Sequence, residues 1–132
     1  MNEISNLIRA GVVSTVYPER CSCRVVFLDR DNLVSADLPI LQSAGAKNKF
    51  YSLPDVGDNV LCLMIPNDDA GSGFVIGSFY SDKKNPPAQN QEVSMIKFED
   101  GTSISYDREK HELKIDCVGN IKINGKRIDL NG

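Results

Sequence analysis

The stretch from residue 96 to residue 132, IKFEDGTSISYDREKHELKIDCVGNIKINGKRIDLNG, constrains the chain more than any other part of it. Apolar residues recur at alternate positions: Ile104 and Tyr106; Leu113, Ile115 and Cys117; Ile121 and Ile123; Ile128 and Leu130. Ser103, Ser105, Lys114, Asp116 and Lys122 stand between them. A period of two marks short strands with one apolar face. Such a ribbon cannot close a core by itself. Its apolar face must pack either on the N-terminal part of the chain or on copies of itself about a symmetry axis. The connection at 81–92, SDKKNPPAQNQE, has Pro86 and Pro87 at its centre. A double proline is extended and semi-rigid, which favours copies as the partners. The nine apolar residues named above are therefore the candidates for a core shared between chains. Gly119 and Gly125 leave the phase after each of them open.

The N-terminal texture differs. Strand-like sequence starts near Leu7 and runs through IRAGVVSTVY; Pro18 and Glu19 form a turn, and RCSCRVVFL follows. In this second run Cys21, Cys23, Val25 and Phe27 share one face, and Ser22, Arg24 and Val26 share the other. Alternation on both sides of a proline turn predicts an antiparallel hairpin. LVSADLPIL reads as one short extended segment, with Pro39 confining it to an edge or ending it. Residues 42–58, with Gly45, Pro54 and Gly57, read as irregular. NVLCLMIP and GFVIGSFYS, joined by NDDAGSG, predict a second hairpin. Five short strands without a convincing helix point to a small all-β barrel or sandwich.

Composition narrows function. Fifteen Lys and Arg against eighteen Asp and Glu give a net charge of −3, which argues against binding driven by a nucleic-acid backbone. Histidine occurs once, at His111 in a charged turn, so imidazole catalysis and histidine-rich metal sites are not expected. Asp29 with Asp31, and Asp68 with Asp69, read as loop residues, since sequence spacing in loops establishes no catalytic carboxylate pair. Gly71, Gly73 and Gly77 precede no helix and form no dinucleotide fingerprint. Cys21, Cys23, Cys62 and Cys117 read as reduced, mostly buried thiols. Asn124 and Gly125 read as a two-residue turn needing φ > 0 at the glycine, or as a corner where the ribbon of an assembled spike steps downward. No secretory signal is visible, and no apolar run approaches a membrane span, so synthesis in the cytosol is expected.

The order of residues resembles the baseplate assembly protein V family, the central spike proteins of contractile phage tails related to type VI secretion spikes. The resemblance runs through GVV at 11–13 with Val16, CRVVF at 23–27, DRD at 29–31, Ser35 and LPIL at 38–41. It continues through PDVGD at 54–58, Val60 and Leu61, GFVIGSFYS at 73–81, DGT at 100–102, Tyr106 and Asp107, and INGKRIDLNG at 123–132. It implies an oligonucleotide/oligosaccharide-binding (OB) type barrel over a lead and barrel at 1–85. A linker at 86–95 and a short trimeric β-helix at 96–132 follow. The implied role is a non-enzymatic, homotrimeric spike and hub in the virion tail baseplate, capping the tail tube and helping to puncture the target cell envelope.

Implied partners are baseplate, hub and tail tube proteins and a separate tip protein. The family often has an aromatic residue after the position of Ser35, where this chain has Ala36 and Asp37. Many relatives end in a metal-binding His-x-His tip, where this chain ends in Leu130, Asn131 and Gly132. No metal or cofactor is therefore expected. Lys47, Lys49, Phe50 and Tyr51 are the candidates for docking a neighbouring protein rather than nucleic acid. The alternative reading is a monomeric OB-type module that binds protein, glycan or nucleic acid, with the ribbon folded back on the barrel.

Overall fold

The computed structural model describes residues 7–66, 68 and 70–131. The protein is all-β: among the described residues its elements are nine strands and two three-residue 3-10 turns. The chain divides into two compact units, Met1–Lys84 and Asn85–Gly132. Of the expected lead, residues 1–6 lie outside the described residues.

In the first unit β1 (Ile8–Tyr17) and β2 (Ser22–Phe27) form the expected hairpin around a 3-10 turn at Pro18–Arg20. Proline suits the first position of that turn because its φ is preset and no donor is lost there. Ten residues of β1 serve two neighbours, pairing with β2 on one side and with β5 (Asn59–Met64) on the other. A register shift between Val13 and Thr15 lets the strand bend from one neighbour to the other. Gly11 makes that bend possible. A Cβ there would lie 2.4 Å from Val25 Cγ1 and 2.7 Å from the Val26 carbonyl oxygen. β6 (Gly73–Ser78) pairs with β5, again antiparallel.

The segment expected as one extended run is two strands of two residues each, β3 (Leu33–Val34) and β4 (Leu38–Pro39), both pairing with β2. Buried Ser35 separates them. Its backbone N–H donates to the Val25 carbonyl, and its hydroxyl accepts from the Val25 N–H at 3.0 Å. The side chain thus takes the place of a strand carbonyl where the backbone turns away. Beyond β4, Ile40 forms a parallel bridge to Val75 of β6, and the Leu41 N–H donates to the Val75 carbonyl at 3.0 Å.

The core lies within these strands: Val13, Cys23, Val25, Phe27, Leu38, Val60, Cys62, Met64 and Val75. Burying each of the larger side chains contributes about 1.5–3 kcal/mol. Ser22 corrects the alternation-based assignment. Placed with Arg24 on the outer face, it is buried instead, because β4 covers it through the Ser22–Pro39 pairing.

The second unit is a three-stranded antiparallel sheet of β7 (Val93–Lys97), β8 (Ser103–Asp107) and β9 (Glu112–Asp116). β7 begins inside the stretch read as linker. Asp100 Oδ1 accepts the Thr102 N–H in the β7–β8 turn, and Gly101 holds φ +97° there. His111 occupies a left-handed position, φ 57°, in the β8–β9 turn, where Asp107 Oδ1 accepts the N–H groups of Glu109 and Lys110. No strand follows Asp116 among the described residues. Ile121, Ile123, Ile128 and Leu130 lie outside any ladder of the single chain. One expectation is corrected here. Asn124 and Gly125 make no hairpin, and Gly125 is not among the positive-φ residues.

Candidate interaction surfaces

Among the described residues, nothing beyond Val75 is buried. In the second unit β7, β8 and β9 form a hydrogen-bonded sheet, and no described residue of the unit is buried. Its cross-strand register sets one apolar row: Ile96 faces Ile104, which faces Ile115. The next row is Ser94, Tyr106 and Leu113. Directly opposed residues project to the same face, so these side chains form one patch. The other face carries Ser103, Ser105, Lys114 and Asp116, the last two in an exposed ion pair of 3.5 Å.

The sheet brings together Ile104, Tyr106, Leu113 and Ile115. Cys117 lies just past β9, half-buried, and its thiol meets the Asn120 carbonyl at 3.5 Å. Ile121, Ile123, Ile128 and Leu130 remain exposed and unpaired with other strands. Exposure of the eight candidates other than Cys117 runs from 38 % at Ile104 to 84 % at Leu130. Ile96 belongs to the same patch and escaped the sequence reading. In VSMIK both phases are apolar, and only the pairing with Ile104 selects Ile96.

Alternation continues beyond Asp116 while pairing stops. The Val118 N–H donates to Thr102 Oγ1. Among the described residues, no backbone group from 119 to 131 joins a backbone–backbone hydrogen bond. Apart from the Asn120 carbonyl, which meets the Cys117 thiol, these donors and acceptors are open to water or to another chain.

The second candidate surface is in the first unit. The irregular segment after β4 is held by an amide clamp: Gln42 Nε2 donates to the Ser52 carbonyl, and the Ser52 N–H donates to Gln42 Oε1, both at 3.0 Å. Inside the clamp the Phe50 N–H donates to the Ala44 carbonyl at 3.1 Å, and Gly45 bridges to Lys49. Lys47, Lys49, Phe50 and Tyr51 are thereby gathered on one ordered loop. The Tyr51 hydroxyl donates to the Pro18 carbonyl at 3.2 Å while the residue stays 64 % exposed. Phe50 is 60 % exposed. Near Pro18, Arg20 lies over the Tyr17 ring at 4.2 Å and pairs with Asp37 at 2.8 Å. The Ser22 hydroxyl, then the charges of Arg20 and Arg24, hold the Asp37 carboxyl below the usual range against the opposing effect of burial. Ser22 Oγ and Asp37 Oδ1 nevertheless complete no hydrogen bond of good geometry among the described residues.

The remaining candidates carry no chemistry of their own. Burial pushes the Cys23 thiol up to about 11, with Asp37 adding to it, and the Cys62 thiol up to about 12, with Cys23 adding to it. Both are inert core groups at neutral pH. All four cysteines are free. Among the described residues no three His, Cys, Asp or Glu side chains stand where they could hold a metal ion. Asp68 Oδ1 accepts the Ala70 N–H, and Asp69 lies outside the described residues. Lys84 Nζ donates to the Gly57 carbonyl, an internal use for part of the basic spot at 83–84. No protein-family model and no curated protein matches the chain.

Proposed function

We propose that the chain is one third of a structural spike, a homotrimeric hub and point of a contractile phage tail baseplate that caps the tail tube and helps to breach the target cell envelope. One observation carries this reading: a second unit in which no described residue is buried, with the apolar row Ile96, Ile104 and Ile115 on its surface. A sheet of this size is marginal without a covered face. Copies arranged about an axis would bury that row. Ile121, Ile123, Ile128 and Leu130 would then find strand partners in neighbouring chains, as a short intertwined β-helix requires.

The first unit fits an OB-type barrel in the same scheme. Its pairings run β4–β2–β1–β5–β6, and the parallel Ile40–Val75 bridge joins the two ends of that path. A barrel closed along that seam would leave few free edges. The loop at 47–51 then serves for protein docking. No catalytic group is assigned, and the role is mechanical: a rigid hydrogen-bonded body transmits a force generated elsewhere.

The family resemblance supplies the copy number of three. Light scattering behind size exclusion tests it on the full chain. A mass of three chains is expected. A mass of one chain would overturn the spike reading in favour of a monomeric binding module.

A further inference from the structure

The outer face of the first unit's sheet is apolar as well. Ile8 pairs with Leu63, and Leu63 with Phe74, all three exposed. Beside this row an open groove of about 480 Å³ is lined by Ala10, Leu61, Ile76 and Phe79, with Gly77 and Ser78. No Cβ fills the groove at Gly77, where a side chain would meet nothing within 4 Å.

Net charge differs in sign between this hairpin with its flanks and the loop that precedes it. From residue 38 to residue 54 the sequence has two lysines and no acid. From residue 55 to residue 84 it has five aspartates against Lys83 and Lys84, a net charge of −3, and the Lys84 ammonium sits on the Gly57 carbonyl. The cationic loop carries an exposed Phe50 and a Tyr51 fixed by the Pro18 carbonyl; the acidic hairpin carries an aromatic-sized apolar groove. The two surfaces do not overlap. Tyr51 is tied to the far end of β1, while the groove includes Ala10 near its start. Eight residues of strand separate these points, up to about 26 Å of extended chain.

We infer that the loop at 47–51 of one copy docks on the outer β1–β5–β6 face of a second copy, Phe50 in the groove and Lys47 and Lys49 against the acidic hairpin. A knob and a hole at different places on one protomer make a heterologous contact, which closes into a ring when the rotation permits. An aromatic anchor in an apolar pocket supplies the buried centre, and opposite charges set the orientation. The Gln42 and Ser52 clamp limits the ordering cost on docking. The contact gives the N-terminal units an interface of their own, separate from the tail. It rests on the spike reading only for the number of copies.

The test uses the full chain with Phe50→p-benzoylphenylalanine, its isotopically light and heavy preparations unfolded together, refolded to mixed assemblies and photolysed. The expected product is a light–heavy crosslink into peptides covering 59–64 or 73–80. Lys47→Glu with Lys49→Glu should lower its yield at least fivefold, and 0.5 M salt should lower it in the parent. A three-chain mass with crosslinks only within one chain, to other surfaces, or absent overturns this inference and leaves the spike reading standing. A one-chain mass overturns the spike reading; the loop–groove contact then survives only if the light–heavy crosslink still forms.

Discussion

Replacing Ile115 with aspartate separates a core shared by three chains from a sheet that faces water. Ile115 lies in the middle of β9, opposite Ile104, and is 56 % exposed in the single chain. Full burial of such a side chain is worth about 1.5–3 kcal/mol. The part still exposed is therefore worth about 0.8–1.7 kcal/mol per chain, or about 2.5–5 kcal/mol for three chains. Three carboxylates gathered at one axis add desolvation and mutual repulsion to that loss. Lost burial alone weakens assembly by about 60- to 4,000-fold. In a sheet open to water the same change removes only one cross-strand contact, about 0.2–1 kcal/mol. Sedimentation equilibrium of the full chain, over a range of concentrations, measures the difference. Lys114→Ser, one residue away on the opposite face, is the control and should leave the mass unchanged. An Ile115→Asp chain that keeps a native three-chain mass and an unchanged dissociation constant would refute the facing of this strand.

Cys21, half-buried, should react with a thiol reagent in the folded protein, and Cys23 and Cys62 only after denaturation. Because burial raises those two thiols from 9.0 to about 11 and about 12, the unfolded chain loses their protons first; denaturant midpoints should fall as pH rises above 9. Asp37 has the opposite sign. Its folded value lies below 3.8, so its contribution is present above that pH and is lost as pH falls through the folded value; Asp37→Asn should flatten this acid limb of the stability profile. Gly101→Ala should cost about 1–2 kcal/mol in denaturant unfolding because of its φ of +97°, whereas Gly125→Ala, with no positive φ, should cost little.

Both N-terminal hairpins were legible as alternation broken by turn residues. There, hydrophobic period and local chemistry agree: Cys23, Val25 and Phe27 on β2, and Val60, Cys62 and Met64 on β5, all face one core. The same rule failed at Ser22. Which face of a strand is covered depends on its neighbours, and β4 arrives from sixteen residues further on to pair Pro39 with Ser22. It failed also at Ser35, whose hydroxyl replaces a backbone acceptor, a role that composition does not reveal. The docking candidates at 47–51 were legible as residue types. Their shared ordered loop was not, because it depends on the Gln42 and Ser52 side chain–backbone clamp.

The second unit divides the two kinds of information most clearly. The sequence by itself determined that this is an all-β chain with a ribbon that has one apolar face, because period-two alternation needs no knowledge of neighbours. Tertiary structure decided which of those residues meet. It placed Ile96 beside Ile104 and Ile115, and ended the ladder at Asp116 although the alternation runs on to Leu130. The physical reason is that alternation specifies a face, while a ladder needs a second strand in register. Beyond Asp116 one chain supplies the face without the strand.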